Sequence, residues 1–578
     1  MTIFKWIKEK LLGKPLATGR AISERLTNLQ GLAIFGADAM SSTAYATEEI
    51  LLVLVSASIF SSIFSVWTAM AIVALILIIV VAYRQVIYAY PQGGGVYNVA
   101  KENLGETAAL IGGASLWVDY ILTVAVSVAA GVAAITSAFP ALYPQRIIIG
   151  IMVILVLMWT NLRGVRESGK IFAIPTYIFI ISFALMIIYG AIRFIFGNFP
   201  VAVYEQPAAA GSLGIISIAL IIRAFASGCT ALTGIEATSN GVQAFKPPES
   251  KNAAKTLTWL GIILGFTFLG ITLLAYWGKI IPMENETLVS QIANALFGHN
   301  PFYYLIQIIT ALILLLAANT PFAGFPRAAS MFAKDGYFPR QFYTLGSRLV
   351  FTHGIVALAI LSSLLIIVFS GSVHALIPLY AVGVFLGFAI SQLGMMAYWK
   401  KAGRGHAKNI LINVLGFIAT STVFLIVLLA KFTSGAWVLA PSIILILLLM
   451  HKIKKHYLSV EKTLSEEQAE FLKISPEKIM MIVFVSKLNR LSIETALFAR
   501  GFKPKKVRAF HVAFDQNEVE TLKNEWEIRF PEIPIDIIID EFREIIPHAI
   551  NYVRNMEKQW KEEGGEKIIA VIPMMVPT

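Results

Sequence analysis

Apolar stretches near helix-spanning length recur through this 578-residue chain as far as residue 453. A helix needs about 20 mostly apolar residues to cross the hydrocarbon core of a bilayer. The composition agrees: 57% of residues are hydrophobic and only 14% charged, where a soluble domain carries roughly a quarter charged. Most of the surface therefore faces lipid. Hydropathy predicts about twelve spans: Gly31–Ser56, Val66–Tyr90, Leu104–Phe139, Ile147–Asn161, Ile171–Phe196, Leu213–Val242, Leu257–Trp277, Phe302–Ala333, Phe351–Phe369, Val373–Trp399, Ile410–Ala430 and Ala436–Ile453.

The net charge is +12. Basic loops explain it better than nucleic-acid binding, because apolar spans dominate the chain. Lys101, Arg163, Arg166, Lys170, Lys246, Lys251, Lys255, Arg327, Lys334, Arg340, Arg348, Lys400, Lys401, Arg404 and Lys408 fall on one side. The other side holds Arg146, Arg193, Lys279 and Lys431 near its helix ends. The positive-inside rule puts both termini in the cytoplasm. Met1–Lys14 mixes Phe4, Trp6, Ile7 and Leu11 with four lysines. Residues 1–30 thus read as a cytoplasmic segment with a short amphipathic helix on the inner leaflet, not as a signal peptide. Cys229 is the only cysteine, so an intrachain disulfide is excluded.

Residues 31–453 form the expected membrane domain, and the pattern changes over 454–578. Strand-like runs at Lys478–Ser486, Val507–Val512, Ile535–Ile539 and Ile568–Pro573 alternate with helical patterns at Ser492–Arg500, Glu518–Arg529 and Arg543–Lys558. This predicts a small α/β domain with a mainly parallel sheet. The chain ends just after a strand, so truncation or completion by a partner chain is expected. The domain has neither a Walker loop nor a GxGxxG turn. Nowhere does the chain offer a nucleophile–base pair or a metal motif, so an enzyme is not expected.

Two spans carry residues that lipid does not tolerate. Span one contains Asp38-Ala39-Met40-Ser41-Ser42-Thr43-Ala44-Tyr45, followed by Glu48-Glu49. Span six contains Ser227-Gly228-Cys229-Thr230-Ala231-Leu232-Thr233-Gly234-Ile235-Glu236. Ionisable residues inside a span are costly and normally face a cavity or the bundle interior. Small and hydroxyl residues permit the backbone to unwind, which is tolerated at depth only beside a cavity or protein. Two interrupted spans, five apart, point to an inverted repeat with the substrate site at its interface. Helix packing alone would explain Gly112–Gly113, but not Asp38 or Glu236. In span three, Asp119, Thr123 and Ser127 share one helical face, bordered by Tyr120. The bland alternative for the hydroxyls is bonding to their own helix. Tyr380 follows Pro378 in span ten and reads first as a packing aromatic. Arg223 in span six is either a counter-ion for these carboxylates or a helix-orienting residue.

These side chains offer oxygen, and no Cys or His cluster suits a soft metal. Hard cations prefer oxygen ligands, and potassium is dehydrated by neutral oxygens. An amino-acid carrier instead needs exposed N–H groups for the substrate carboxylate, which Asp38 would repel. The residues thus lean toward a monovalent cation and leave an organic cation open.

At these residues the chain resembles the amino acid–polyamine–organocation superfamily. The resemblance rests on Pro91-Gln92-Gly93-Gly94-Gly95-Val96-Tyr97, on Gly234-Ile235-Glu236, and on Arg327-Ala328-Ala329 with Ala333-Lys334-Asp335-Gly336. Within it, Asp38 to Tyr45, and Tyr83-Arg84-Gln85 with Ala89-Tyr90-Pro91, are similar to the KimA-type bacterial potassium importers. The C-terminal region is similar to universal-stress-protein folds. The resemblance implies a LeuT-type 5+5 inverted repeat and potassium–proton symport across the bacterial cell membrane. It also implies a homodimer joined through the cytoplasmic domains and inhibition by cyclic di-AMP. Carried over by position, Tyr45, Thr123, Ser127 and Thr233 would bind potassium with Asp38 nearby. Asp119, Tyr120, Glu236 and Tyr380 would line the pathway and gate, with carboxylates carrying the proton. The rival readings are an amino-acid or polyamine permease, and a membrane sensor without net flux.

Overall fold

The computed structural model describes residues 25–55, 62–93, 95–164, 168–201, 217–283, 285–346, 348–403, 405–465, 478–540, 545–564 and 567–573. The amphipathic helix expected within 1–30 falls almost wholly outside them. The chain divides into two compact units, one built on residues 24–344 and 351–450, the other chiefly on 451–578.

Backbone polar groups in hydrocarbon must be satisfied within the segment, so the apolar stretches become helices. Ten helices among the described residues are long and apolar enough to cross a membrane. About twelve spans were expected from hydropathy, and these ten account for ten of them. The other two segments are span one, which is broken, and span nine, whose helix Thr352–Val368 has 17 residues. Spans three (Glu106–Ala138) and ten (Val373–Lys401) are the most buried, and span four is the least. The former pack inside the bundle, while span four turns mostly to lipid. Small residues allow the close approaches. A Cβ at Gly113 would lie 2.6 Å from Phe332, and one at Gly270 would lie 2.5 Å from Ile187. Gly112–Gly113 is therefore a packing feature.

The two interruptions differ in depth. Span one consists of helices Asn28–Ser41 and Thr43–Val55, which meet at Ser42. Ser42 keeps helical dihedrals (φ −62°, ψ −23°). The hydroxyls of Ser41, Ser42 and Thr43 donate to the carbonyls of Asp38, Ala39 and Met40 at 2.6–2.7 Å. This back-bonding holds the segment nearly helical, so the unwinding expected at span one is reduced to a single residue.

Span six unwinds in full. Helix Ile218–Gly228 gives way to the tight 3-10 turn Cys229–Leu232, then to extended Thr233 (φ −65°, ψ 146°) and left-handed Gly234 (φ +82°). A four-residue helix, Ala237–Asn240, follows. The Ser42 hydroxyl also lies 3.2 Å from the Ala231 carbonyl, stitching one break to the other. Backbone bonds from Leu26 to Ala244 and from Lys246 to Leu26 tie the start of span one to the end of span six. Stacking of Phe35 on Phe245 reinforces that tie.

The C-terminal unit has strands β1 (Ile479–Phe484), β2 (Lys506–Ala513), β3 (Ile535–Ile539) and β4 (Lys567–Val571). They form one sheet in the order β3-β2-β1-β4, and each of the three pairings is parallel. Helices Arg490–Gly501, Gln516–Arg529 and Ile545–Glu562 connect them. Trp526 anchors the core on one face and Trp560 the core on the other. A parallel sheet needs such cover on both faces, which explains the continuous apolar run of β1.

Candidate functional site

Span six brings its break directly against span one. At Gly234 a Cβ would lie 2.7 Å from the Asp38 carboxyl carbon and 2.8 Å from the Ala39 nitrogen. Only a residue without a side chain, in a left-handed conformation, permits that approach. Thr233 donates to the Thr230 carbonyl at 2.8 Å, and its hydroxyl faces the Tyr45 phenol. With the proton of Thr233 used on the backbone, its oxygen is left to accept, from the Tyr45 phenol or from a ligand.

Span three supplies a second wall. Asp119, Thr123 and Ser127 are all buried, as the shared helical face requires. The Thr123 hydroxyl lies 2.9 Å from the Asp119 carbonyl, to which it donates, and 3.2 Å from the Tyr380 hydroxyl. Tyr380 is thus more than a packing aromatic: its ring is buried while its hydroxyl meets span three. The Tyr120 hydroxyl accepts a bond from Asn240 at 3.3 Å, and a Cβ at Gly324 of span eight would lie 2.7 Å from it.

Three carboxylates share this region. Asp38, Asp119 and Glu236 are 6%, 4% and 9% exposed, and the charges of Asp38 and Glu236 act on Asp119. Asp119 Oδ1 and Glu236 Oε2 have no hydrogen-bond partner. Among the described residues none of the three forms an ion pair. Arg223, considered as their counter-ion, points its Nε at the Ala430 carbonyl, 3.4 Å away. It belongs to the helix-orienting alternative. Burying unpaired charge is costly, so protons or a bound cation must balance these groups.

A cavity of about 320 Å³ opens beside the carboxylates, lined by Tyr83, Asp119, Glu236, Asn240, Gly383 and Phe388 among others. Tyr83 and Asn240 were not singled out from sequence as site residues. Aromatic and amide side chains are ordinary packing residues, and only their position on the wall distinguishes them. The glycine loop after span two serves the same wall. Gly93 (φ +95°) and Gly95 approach the Asn240 carbonyl and side chain so closely that a Cβ would fall 3.0–3.1 Å from them. Beyond that loop, Asp335 at the end of span eight accepts bonds from Tyr97 and Lys101 at 2.5 Å, and Tyr337 donates to Glu106. These contacts close the basic-loop end of the bundle.

The sequence model of the amino acid permease family matches residues 26–450, and that of the KimA potassium transporter C-terminal domain matches residues 477–578. The potassium transporter KimA of Bacillus subtilis (strain 168) is 42% identical over 565 residues, covering 96% of this chain and 91% of that protein. Solved structures with a more distant likeness include a manganese transporter of Eremococcus coleocola (13% identity, TM-score 0.40). Another is a Na+-coupled sialic acid symporter in an outward-open state (14% identity, TM-score 0.41). Each alignment spans 74% of this chain and 92% of the other. By both family matches and by identity along nearly its whole length, the chain belongs to the KimA-type transporters of the amino acid permease superfamily.

Proposed function

We propose that the chain imports potassium across the bacterial cell membrane, coupled to protons, by alternating access. The observation that carries this reading is the cluster of Asp38, Asp119 and Glu236, buried among hydroxyl and phenol oxygens and, among the described residues, without a basic partner. Tyr45, Thr123, Ser127 and Thr233 supply neutral oxygens that replace the ion's water, with Asp38 beside them. Asp119, Tyr120, Glu236 and Tyr380 line the pathway and gate, and the carboxylates carry the coupled proton. The potassium transporter KimA, with 42% identity, supports the choice of ion. The basic loops support cytoplasmic termini.

The C-terminal α/β domain joins two copies of the chain in this reading, and cyclic di-AMP bound there inhibits transport. Calorimetry of the full-length protein with cyclic di-AMP tests that part. Saturable binding supports it, and an absence of heat rejects it.

The test of the transport assignment is complementation of a potassium-uptake-deficient bacterium at low potassium. Thr233→Ala and Asp38→Asn should each fail to restore growth at normal protein levels. Growth like wild type in both would reject the site. An amino-acid substrate is disfavoured because its carboxylate would meet Asp38 and Glu236. Competition of uptake by arginine or putrescine, but not by potassium, would revive that alternative.

A further inference from the structure

A second cavity, of about 550 Å³, lies at the bundle end where span three finishes and span ten begins. Its lining includes Tyr45, Glu48, Ser137, Glu286, Thr310 and His374. Tyr45 therefore borders both this cavity and the oxygen-rich site beside Thr233. This end is opposite the basic loops, and so faces outward on the orientation proposed above.

Glu48, 5% exposed, sits at the wall, and Glu49, 3% exposed, follows it in the chain. The Glu49 carboxylate is already engaged by His374 Nδ1 at 2.5 Å and Lys431 Nζ at 3.7 Å. Glu48 is less satisfied. One of its oxygens accepts the Leu288 N–H at 3.0 Å, and the other lies 3.7 Å from His374 Nε2. Among the described residues, Glu286 accepts a neutral hydroxyl, from Ser290 at 2.7 Å. Glu48 and Glu286 thus line the cavity, its lining among the described residues holds no lysine or arginine, and its one basic side chain, His374, already bonds Glu49. A second observation is independent of charge. Thr310 is 2% exposed, lines the cavity, and its hydroxyl has no hydrogen-bond partner. A buried hydroxyl left unpaired beside uncompensated carboxylates suits an oxygen-ligated cation.

We infer that this cavity is a second cation site, in which Glu48, Glu286 and Thr310 hold a partly hydrated monovalent cation before Tyr45 admits it to the inner site. The inference rests on the reading of the chain as a potassium carrier. His374 Nδ1 bonds Glu49 at 2.5 Å while its Nε2 stays 3.7 Å from Glu48, so Glu48 is the carboxylate left for the cation. A site that loads the ion sets the concentration at which transport half-saturates, whereas chemistry deeper in the bundle sets the maximal rate.

The test is radioactive rubidium uptake by the purified full-length protein in liposomes, comparing wild type with Glu48→Gln and Thr310→Val. Glutamine keeps an oxygen for the Leu288 N–H, and valine matches the shape of threonine. Removing the charge should raise the rubidium KM about tenfold, with the maximal rate within about twofold. Thr310→Val should raise the KM less, by about threefold, as loss of one neutral ligand does. An unchanged KM in both variants, or a fall in maximal rate without a change in KM, overturns the outer site and leaves the transport reading intact. No uptake by wild type removes the transport reading and this inference with it.

Discussion

At the residue scale, very little space separates span six from Asp38. A methyl group at position 234 would press on the Asp38 carboxyl and on the Ala39 backbone, at a left-handed φ. Gly234→Ala should cost about 1–3 kcal/mol of local strain and shift Asp38. We expect uptake to fall at least about tenfold, while the purified protein stays monodisperse by size-exclusion chromatography. Wild-type uptake in this variant would mean that the contact is incidental. Thr123 makes a complementary case. Thr123→Val removes the oxygen between Asp119 and Tyr380 and should lower the maximal rate of rubidium uptake about tenfold, roughly the worth of one good polar contact. Thr123→Ser should restore it. The carboxylates were legible in the sequence because an ionisable side chain in an apolar span is conspicuous. Tyr83, Asn240 and His374 were not, since each looks like an ordinary packing or loop residue until the fold places it on a cavity wall.

At the scale of elements, similar composition produced two different breaks. Both segments are rich in Ser, Thr and Ala, yet span one stays nearly helical while span six unwinds. The difference lies in Gly234 and extended Thr233, whose conformations end the helix, against three hydroxyls in span one that satisfy the local carbonyls. Composition showed where each helix was weak, but not how far it opened. In the C-terminal unit, alternation of strand and helix periods was sufficient to predict the parallel sheet, and the boundaries moved by a few residues. Strand order was not legible, because it is decided by which helix covers which face. Trp526 is fully buried there and its Nε1 donates to the Ile533 carbonyl at 2.8 Å. Trp526→Ala should cost about 3–5 kcal/mol. Limited proteolysis should then cleave within 478–573 while the membrane unit survives. Resistance equal to wild type would contradict that packing.

For the whole molecule, charge balance ties fold to function. A long apolar chain places three carboxylates inside its bundle, without a basic partner among the described residues, and cations or protons must compensate them. Family membership supports potassium as the cation. The most direct measurement is radioactive rubidium uptake into liposomes holding wild-type protein or Asp38→Asn, with an inward proton gradient applied or collapsed. Potassium should compete the uptake away, the gradient should accelerate it, and Asp38→Asn should abolish it. Uptake untouched by Asp38→Asn, or indifferent to potassium, would contradict the proposed function.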